Sequence, residues 1–199
     1  MIYIEYMEHD RSIPAEMLSY RKGEPPWPEA APESGDRPVA VLGRALSLGP
    51  QPPYLAIWRC HALEKLDQWD SFFKARHNLH SKASREAIHL SHAGCYEEVH
   101  TGPPIGEGIQ YIEYFNFTMG REKASIAELY SKRAELYRHG TLNLVLCRMG
   151  PLGPDPGGLA IWTFPGHGDM EEIIVDDRWQ KEVDIVRAGI YRKLGEEAL

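Results

Sequence analysis

The stretch that decides the fold is YIEY, which occupies residues 3–6 and returns at residues 111–114. A second word, LAIW, occupies residues 55–58 and returns at residues 159–162, in the same order along the chain. A weaker match pairs AGCY at residues 93–96 with AGIY at residues 188–191. Three matches in one order predict a unit of about one hundred residues that occurs twice.

Hydrophobic periodicity predicts the same order of elements in both units, β-α-β-β-α-β. Predicted strands cover residues 2–9, 39–48, 54–60 and 95–100 in the first unit, and 110–117, 142–149, 159–164 and 189–194 in the second. Predicted helices begin at Ser12 and Leu63 in the first unit, the latter extending to about His92, and cover residues 121–139 and about 169–186 in the second. This order is that of a ferredoxin-like unit, with its helices on one face of an antiparallel sheet.

The predicted fold is therefore α+β, with two tandem ferredoxin-like units whose antiparallel sheets pack as an α/β barrel. We expect the first unit at residues 1–101 with a proline-rich insert at 24–38, a linker at 102–109, and the second unit at 110–199. YIEY and LAIW should be neighbouring strands at the centre of each sheet. Duplicated units can close one barrel within a chain or pair between chains, so a homodimer is an open alternative.

Charge and composition exclude several classes of partner. The chain of 199 residues has a formal net charge of -7 and no run of four Lys or Arg residues, which disfavours nucleic acid and anionic membranes. No stretch approaches the roughly 18 apolar residues of a membrane span, and the N-terminus does not resemble a signal peptide. Cys60, Cys95 and Cys147 lie far apart without a CxxC motif, which favours buried thiols and a cytoplasmic protein.

Three segments resemble the NIPSNAP-like branch of the dimeric α/β-barrel superfamily. They are IYIEY at residues 2–6, LAIWRCHALEKLDQWDSF at residues 55–72, and LAIWTFPGHGDMEEIIVDDRWQKEV at residues 159–183. Asp177-Arg178-Trp179 matches a late D-W element of that family, and the first half has Arg76-His77-Asn78 in its place. The resemblance implies the tandem barrel fold. The superfamily includes cofactor-free monooxygenases, isomerases, lyases, haem enzymes and binding proteins, so the resemblance does not name a reaction.

Glu5 and Glu113 are the first candidates for acid/base chemistry. Because the aliphatic side of the opening strand is expected to meet the helices, we expect both carboxylates to face the barrel interior. Desolvation in an apolar chamber raises a carboxyl pKa and makes it a usable acid or base near neutral pH. In the structural alternative, each glutamate pairs with an arginine such as Arg44 or Arg148.

Substrate contacts are expected from aromatic side chains around this chamber. An apolar or aromatic molecule would stack on them, while Arg44 would hold an anionic group or a developing oxyanion. The alternative for the tryptophans on the third strands is a role as core fillers, and the tryptophan of the insert lies either on a lid or on a surface loop. The candidates are Tyr3, Trp27, Trp58, Tyr111 and Trp162.

Histidines are concentrated in the first unit. The stretch at residues 77–92 contains His77, His80, His89 and His92, with a spacing of three residues that places each pair on one side of a helical turn. Imidazoles serve as general bases and as metal or haem ligands. His9, at the end of the first strand, is a further candidate base. Surface or helix-capping histidines are the alternative.

Three functions follow from these candidates. The first is a cofactor-independent enzyme of the isomerase, lyase or monooxygenase type that binds an apolar or aromatic molecule in the barrel. Glu5, Glu113, His9, His77 or His80 would supply the acid/base group. The second is a haem- or metal-dependent enzyme that uses the histidine cluster. The third is a non-catalytic ligand-binding or interaction protein in which both glutamates are structural.

Overall fold

The computed structural model describes residues 1–9, 37–61, 88–116, 123–176 and 182–194. Within these residues the chain forms eight strands, two α-helices and one 3-10 turn, which confirms the α+β class. The elements are β1 (Ile2–His9), β2 (Arg37–Arg44), β3 (Tyr54–Arg59), β4 (Ile88–Thr101), β5 (Ile109–Asn116), α1 (Lys123–Ala134), β6 (Thr141–Arg148), β7 (Gly158–Phe164), the 3-10 turn (Gly168–Met170), α2 (Glu171–Ile174) and β8 (Asp184–Lys193).

The eight strands form a closed sheet, in which each strand is hydrogen-bonded to two antiparallel neighbours. The order is β1-β3-β2-β8-β5-β7-β6-β4, and β4 pairs in turn with β1. The chain divides into two halves, β1–β4 and β5–β8. In each half the strands lie side by side in the order second, third, first, fourth. The ladder crosses from one half to the other at β2–β8 and at β4–β6.

The repeated words are each other's partners in the sheet. In the first half Tyr3 lies opposite Trp58 and Glu5 opposite Ala56. The second half has the same register, with Tyr111 opposite Trp162 and Glu113 opposite Ala160. The weaker repeat, AGCY and AGIY, pairs with the other edge of YIEY in both halves. Its first residues, Ala93 and Ala188, lie opposite Glu5 and Glu113. The predicted adjacency of YIEY and LAIW is thus confirmed.

The enclosed face of the sheet contains the central core. One cluster of buried side chains draws members from all eight strands, which is only achieved on the face that the strands surround. On β1 this face holds Ile2, Ile4 and Tyr6, and on β5 it holds Ile112 and Tyr114. The other members are Ala40, Leu42, Leu55, Ile57, Tyr96, Ile105, Leu144, Leu146, Leu159, Ile161 and Tyr191.

The outer face of the second half is covered by α1 and by the segment around α2. Ile126, Leu129, Tyr130 and Arg133 are the buried residues of α1, and their spacing places them on one stripe of the helix. Phe115 and Trp162 of the sheet pack in the same layer. In the first half the outer face holds a smaller described cluster, formed by Val41, Ala56, Trp58 and Cys60.

Two strands begin well before the residues at which the sequence predicts them to start. β4 starts at Ile88 instead of residue 95, and β8 starts at Asp184 instead of residue 189. The helices predicted to extend to His92 and Val186 were therefore wrong at their ends, and His89 and His92 lie on a strand. The first half of β8 is largely exposed, so it lacks the apolar alternation by which a strand is recognised.

The two ends of the closed sheet differ. At one end the linker between β4 and β5 inserts Ile105 into the central core. Gln110 and Asn143 hold linker carbonyls, since Gln110 Nε2 donates to Gly106 at 3.0 Å and Asn143 Nδ2 donates to Pro103 at 3.1 Å. The opposite end carries the two β-hairpin loops, residues 45–53 and 149–157, each of which contains a cis X-Pro bond.

Both hairpin loops approach the neighbouring strand backbone closely. A Cβ atom at Gly49 would lie 2.8 Å from the Cα atom of Gly189, and one at Gly153 would lie 2.9 Å from the Cα atom of Gly94. Both loop glycines also have positive φ angles, 139° and 145°. Glycine is therefore required at these two positions for steric and conformational reasons together.

No helix in the described ranges is long and apolar enough to cross a membrane. The segment between Thr101 and Ile109 connects β4 with β5. The division into domains stays a prediction, as do the cytoplasmic location and the homodimer. Most of the proline-rich insert lies outside the described residues, and Arg37 and Pro38 at its end belong to β2.

Candidate functional site

The two glutamates of YIEY lie on the outer face of the sheet. Ile4 and Tyr6 belong to the central core, so Glu5, between them, points the other way. In the second half Glu113 contacts Arg133 of α1, which places its side chain in the layer between sheet and helix. The expectation that both carboxylates face the interior was therefore wrong. The reason is that the aliphatic face of β1 and β5 forms the enclosed core.

Glu113 begins a chain of buried polar contacts that ends near the surface. Arg133 Nη1 donates to Glu113 Oε2 at 2.6 Å, and the two side chains are 2% and 0% exposed. Arg133 Nε donates to the Tyr137 hydroxyl at 3.1 Å, and that hydroxyl donates to Asp176 Oδ2 at 3.0 Å. The partner of Glu113 is thus a helix arginine, and neither Arg44 nor Arg148 pairs with it.

Aromatic rings surround the Arg133 guanidinium. Its central carbon lies 5.7 Å from the ring centre of Tyr130, 5.5 Å from that of Tyr137 and 5.6 Å from that of Trp162. Tyr137 meets Trp162 edge to face at 5.6 Å. Cation–π attraction in a site without water compensates part of the desolvation cost of the buried arginine.

Burial and the buried charges shift the pKa of several side chains here. Burial disfavours the charged Arg133, but the Glu113 carboxylate outweighs burial, and the pKa of Arg133 is raised. The pKa of Tyr111 is raised by burial first and by Glu113 second. The pKa of Tyr130 is raised in the same way. Arginine therefore stays charged, and both phenols stay protonated, around neutral pH.

Three buried polar atoms in this layer have no hydrogen-bond partner within the described structure: Glu113 Oε1, the Tyr130 hydroxyl and Trp162 Nε1. They belong to adjacent side chains. The Tyr130 hydroxyl lies beside the Glu113 carboxylate, but without a hydrogen bond of ordinary geometry. The rings of Tyr130 and Trp162 lie 6.4 Å apart. Buried polar groups are normally paired, so three together make this layer the candidate site.

We name this group the Glu113 cluster: Tyr111, Glu113, Tyr130, Arg133, Tyr137 and Trp162. It provides an acceptor on Glu113 and a donor on Trp162 that have no partner in the part of the chain that the structure describes. An acceptor and a donor close together match a small molecule with a hydroxyl or enol group. The arrangement is therefore capable of holding such a group and exchanging a proton with it.

The first half brings together the equivalent strand residues in another arrangement. Trp58 Nε1 donates to Glu5 Oε2 at 2.9 Å. The pKa of Tyr3, which lies next to them, is raised by burial and by Glu5. All three side chains have further interactions besides these. Here tryptophan and glutamate are bonded directly, whereas their counterparts Trp162 and Glu113 are not.

Arg44 is held by its own hairpin loop. Its Nη1 donates to the carbonyls of Gly49 at 3.1 Å and Pro50 at 3.3 Å. Arg148 has the equivalent role, with Nη1 donating to the carbonyl of Gly153 at 2.9 Å and to Asp155 Oδ1 at 2.7 Å. These contacts stabilise the loops, and a substrate contact of Arg44 stays a prediction.

The remaining predicted site residues are not described by the structure, or are described only in part. Trp27, His77 and His80 lie outside the described residues. His9 ends β1, and nothing is described of its side chain. Within the described ranges, no three His, Cys, Asp or Glu side chains come together as a metal site requires. The haem or metal alternative depends on the histidine stretch and stays a prediction.

Sequence reasoning missed Arg133 and Tyr130 of α1, and Tyr137 just after it. The signal was present, because Arg133 occupies the position seven residues after Ile126 and so lies on the apolar stripe of the helix. A charged residue on such a stripe is buried only with a partner. A glutamate on the sheet face that the helix covers was the partner to look for.

The comparisons with known proteins leave the family open. No family model matches the chain, and searches of curated proteins and of solved structures found no match either. The resemblance to NIPSNAP-like proteins therefore stays a prediction, supported by its three sequence segments. The site must be interpreted from its own geometry.

Proposed function

We propose that the chain is a tandem of two ferredoxin-like units that together form an α/β barrel, similar to NIPSNAP-like proteins. Support comes from the equal strand order of the halves and from the equal register of their repeated words. Equivalent loop contacts of Arg44 and Arg148 support it as well. Duplication of one unit explains why the same words occur at the same strand positions.

Within this fold we propose a cofactor-independent enzyme that performs acid/base chemistry at the Glu113 cluster. The observation that carries the proposal is the group of three buried atoms without partners, Glu113 Oε1, the Tyr130 hydroxyl and Trp162 Nε1. The proposed site lies between the sheet and α1 instead of inside the barrel. The substrate is a small, apolar or aromatic molecule with one phenol-like or enol-like group.

Each side chain has a defined part in the proposed reaction. Glu113 Oε1 takes a proton from the substrate, and the Trp162 N–H donates to the oxygen on which negative charge develops. Return of the proton to another atom of the same molecule completes an isomerisation. Arg133 holds the other carboxylate oxygen, at 2.6 Å, and so fixes the direction of Oε1. The Tyr130 hydroxyl lies beside the carboxylate and provides a second hydrogen-bond donor for the substrate.

The walls of the cluster favour an aromatic substrate. Phe115 and Tyr130 lie with their ring centres 5.2 Å apart, and Trp162 and Tyr137 complete an aromatic layer. Aromatic rings prefer offset or edge-to-face contacts at such distances, and a flat substrate ring forms further contacts of the same kind. The same layer keeps water away from the carboxylate, which strengthens its interaction with the substrate proton.

The test uses 4-nitrophenol, whose phenolate has its own visible absorption band. We expect the wild-type protein to bind it and to increase the phenolate band at a pH where the free probe is mostly protonated. Trp162→Phe removes one donor to the bound oxygen, and we expect binding to weaken about 10- to 100-fold. Glu128→Gln, on the exposed side of α1, is the matched control and should leave both readouts unchanged.

A second variant separates catalysis from binding. The double variant Glu113→Gln/Arg133→Met removes both charges and avoids a buried unpaired arginine. We expect it to lose the phenolate band. Binding without any increase of that band in the wild-type protein would support the non-catalytic alternative. If the wild type does not bind the probe, or if Trp162→Phe binds it equally well, the proposal is wrong.

A further inference from the structure

Four tyrosines form two hydroxyl pairs inside the closed sheet. The hydroxyls of Tyr6 and Tyr96 lie 2.8 Å apart, and those of Tyr114 and Tyr191 lie 3.0 Å apart. All four side chains are buried in the central core. In each pair one hydroxyl donates and the other accepts, so each pair has one O–H proton that the pair itself does not use.

The phenols remain donors at neutral pH. Burial raises the pKa of Tyr96 to about 12, although Arg148 and Arg187 act in the opposite direction. Burial also raises the pKa of Tyr6, Tyr114 and Tyr191. Two O–H donors that their own pairs do not use, and that have no other partner among the described residues, therefore lie in the interior of the closed sheet.

One tyrosine of each pair is covered by a basic side chain from the neighbouring strand. His92 lies opposite Tyr6 in the β1–β4 ladder and stacks on its ring, with centroids 4.6 Å apart. Arg187 lies opposite Tyr114 in the β5–β8 ladder, with its guanidinium carbon 5.2 Å from the ring centre. The two positions are equivalent in the two halves.

These groups lie near the end of the sheet that carries the hairpin loops, whereas the linker with Ile105 covers the opposite end. Arg187 is exposed and His92 is partly exposed, so solvent reaches the basic groups from this end. Arg187 Nη2 donates to the Asp155 carbonyl at 3.0 Å, which leaves most of its N–H donors for other partners.

Charged side chains of both signs lie around this end. Arg44 and Arg187 act on Tyr191, while Arg148 and Arg187 act on Tyr96. The described acids are Glu8, which acts on His92, Asp155, which already accepts from Arg148, and Asp184, which begins β8 and accepts from Asn116. Two of the three acids are thus already hydrogen-bonded to another side chain.

Apolar side chains lie beside the basic ones. Leu48 and Leu152 occupy equivalent positions in the two hairpin loops, where their carbonyls accept from Ile190 N and Cys95 N. Their side chains are 52% and 47% exposed. Exposed apolar groups of this size around a basic centre match a ligand with a charged end and an apolar body.

We propose that the loop end of the closed sheet binds a small organic carboxylate with an apolar body. The Arg187 guanidinium holds the carboxylate, an unused tyrosine proton adds a second donor, and the leucines of the hairpin loops cover the apolar part. This site uses none of the residues of the Glu113 cluster and does not depend on the proposed reaction.

Benzoate is the probe, and calorimetric titration of the full-length protein is the measurement. We expect saturable binding of benzoate, and we expect Arg187→Met to weaken it by about tenfold or more, since a charge-assisted hydrogen bond is lost. Arg192→Met changes an exposed arginine on the same strand and serves as the matched control. It should bind benzoate as the wild type does.

Two further measurements decide between recognition of the anion and simple apolar binding. Benzyl alcohol has the same ring without the charge, and we expect at least tenfold weaker binding than for benzoate. The double variant Tyr114→Phe/Tyr191→Phe removes both hydroxyls of that pair but keeps the ring under Arg187, and should weaken benzoate several-fold. Absence of benzoate binding to the wild type, equal binding by Arg187→Met, or equal binding of benzyl alcohol overturns the proposal.

Discussion

The two halves place a glutamate and a tryptophan at the same strand positions and connect them differently. Glu5 accepts directly from Trp58 at 2.9 Å. Glu113 instead accepts from Arg133 at 2.6 Å, and the Trp162 N–H has no partner among the described residues. The sheet thus supplies the same pair of groups twice, and in the second half Arg133 of α1 takes the place of tryptophan as the partner of the glutamate.

The repeat keeps the same residues at the same strand positions in both halves, but it does not determine which side chains pack on them. Opposite each glutamate is an alanine on either side, Ala56 and Ala93 in the first half, Ala160 and Ala188 in the second. Small neighbours allow other side chains to approach the carboxylate in both halves. In the second half a guanidinium and three aromatic rings pack in this layer.

The largest expected effect comes from breaking the ion pair of the second half. Arg133→Met leaves the Glu113 carboxylate buried without its cation, and we expect the free energy of unfolding to fall by about 3–5 kcal/mol. Urea denaturation followed by circular dichroism measures this loss. Arg138→Met, an exposed arginine five residues further on, is the control and should unfold as the wild type does.

A double variant shows whether the loss is due to the unpaired charge. In Arg133→Met/Glu113→Gln both charges are removed, and we expect more than half of the lost stability to return, since uncharged replacements of buried pairs are often tolerated. If the double variant is as unstable as the single one, packing of the arginine stem, and not the charge, holds the layer together.

A matched pair of tryptophan variants compares the halves directly. Trp58→Phe removes a donor that Glu5 uses, whereas Trp162→Phe removes an N–H without a partner. The loss of ring size is the same in both. We therefore expect Trp58→Phe to be less stable than Trp162→Phe by roughly 1–2 kcal/mol. Equal midpoints in urea would mean that the indole N–H groups are energetically equivalent, contrary to their contacts.

The smallest expected effect concerns pH and the equivalent positions His92 and Arg187. Burial and the nearby Arg187 lower the pKa of His92, while Glu8 raises it. The unfolded state therefore takes up the proton first as the pH falls through the ordinary histidine range. The contribution of neutral His92 to the free energy of unfolding is fully present above that range. It decreases as the pH falls toward the lower pKa of the folded state.

His92→Phe keeps a ring on Tyr6 but does not titrate. We expect its urea midpoint to decrease less than that of the wild type between about pH 7 and pH 5. His100, whose pKa is also lowered by burial, is present in both proteins and cancels in the comparison. Identical pH profiles would show that the imidazole ionises as freely in the folded chain as in the unfolded one.

The sequence predicted the pairing of strands better than the direction of side chains. YIEY and LAIW were recognisable as neighbours because both recur in order. The direction of Glu5 was not, because both faces of its strand carry buried side chains. On β1 Tyr3 and Met7 lie on one side and Ile4 and Tyr6 on the other, so apolar alternation does not distinguish interior from exterior.

The interior tyrosines and Arg133 were missed for a related reason. Tyr6 and Tyr114 were visible only as flanks of a glutamate, and their partners Tyr96 and Tyr191 lie 90 and 77 residues away. Such pairs depend on the closure of the sheet, which no local pattern contains. The sequence indicated that Arg133 needs a buried partner. It did not indicate which residue that partner is, since 20 residues separate Arg133 from Glu113.

The closed order of strands also determines when the protein can become complete during synthesis. β2 obtains its second neighbour only from β8, the last described strand, and β4 obtains its second neighbour from β6. At translation rates of 5–20 residues per second, the first half waits roughly 5–20 s for the second. During that interval β2 and β4 present open edges, which makes the nascent first half the stage at which wrong pairing between chains is most costly.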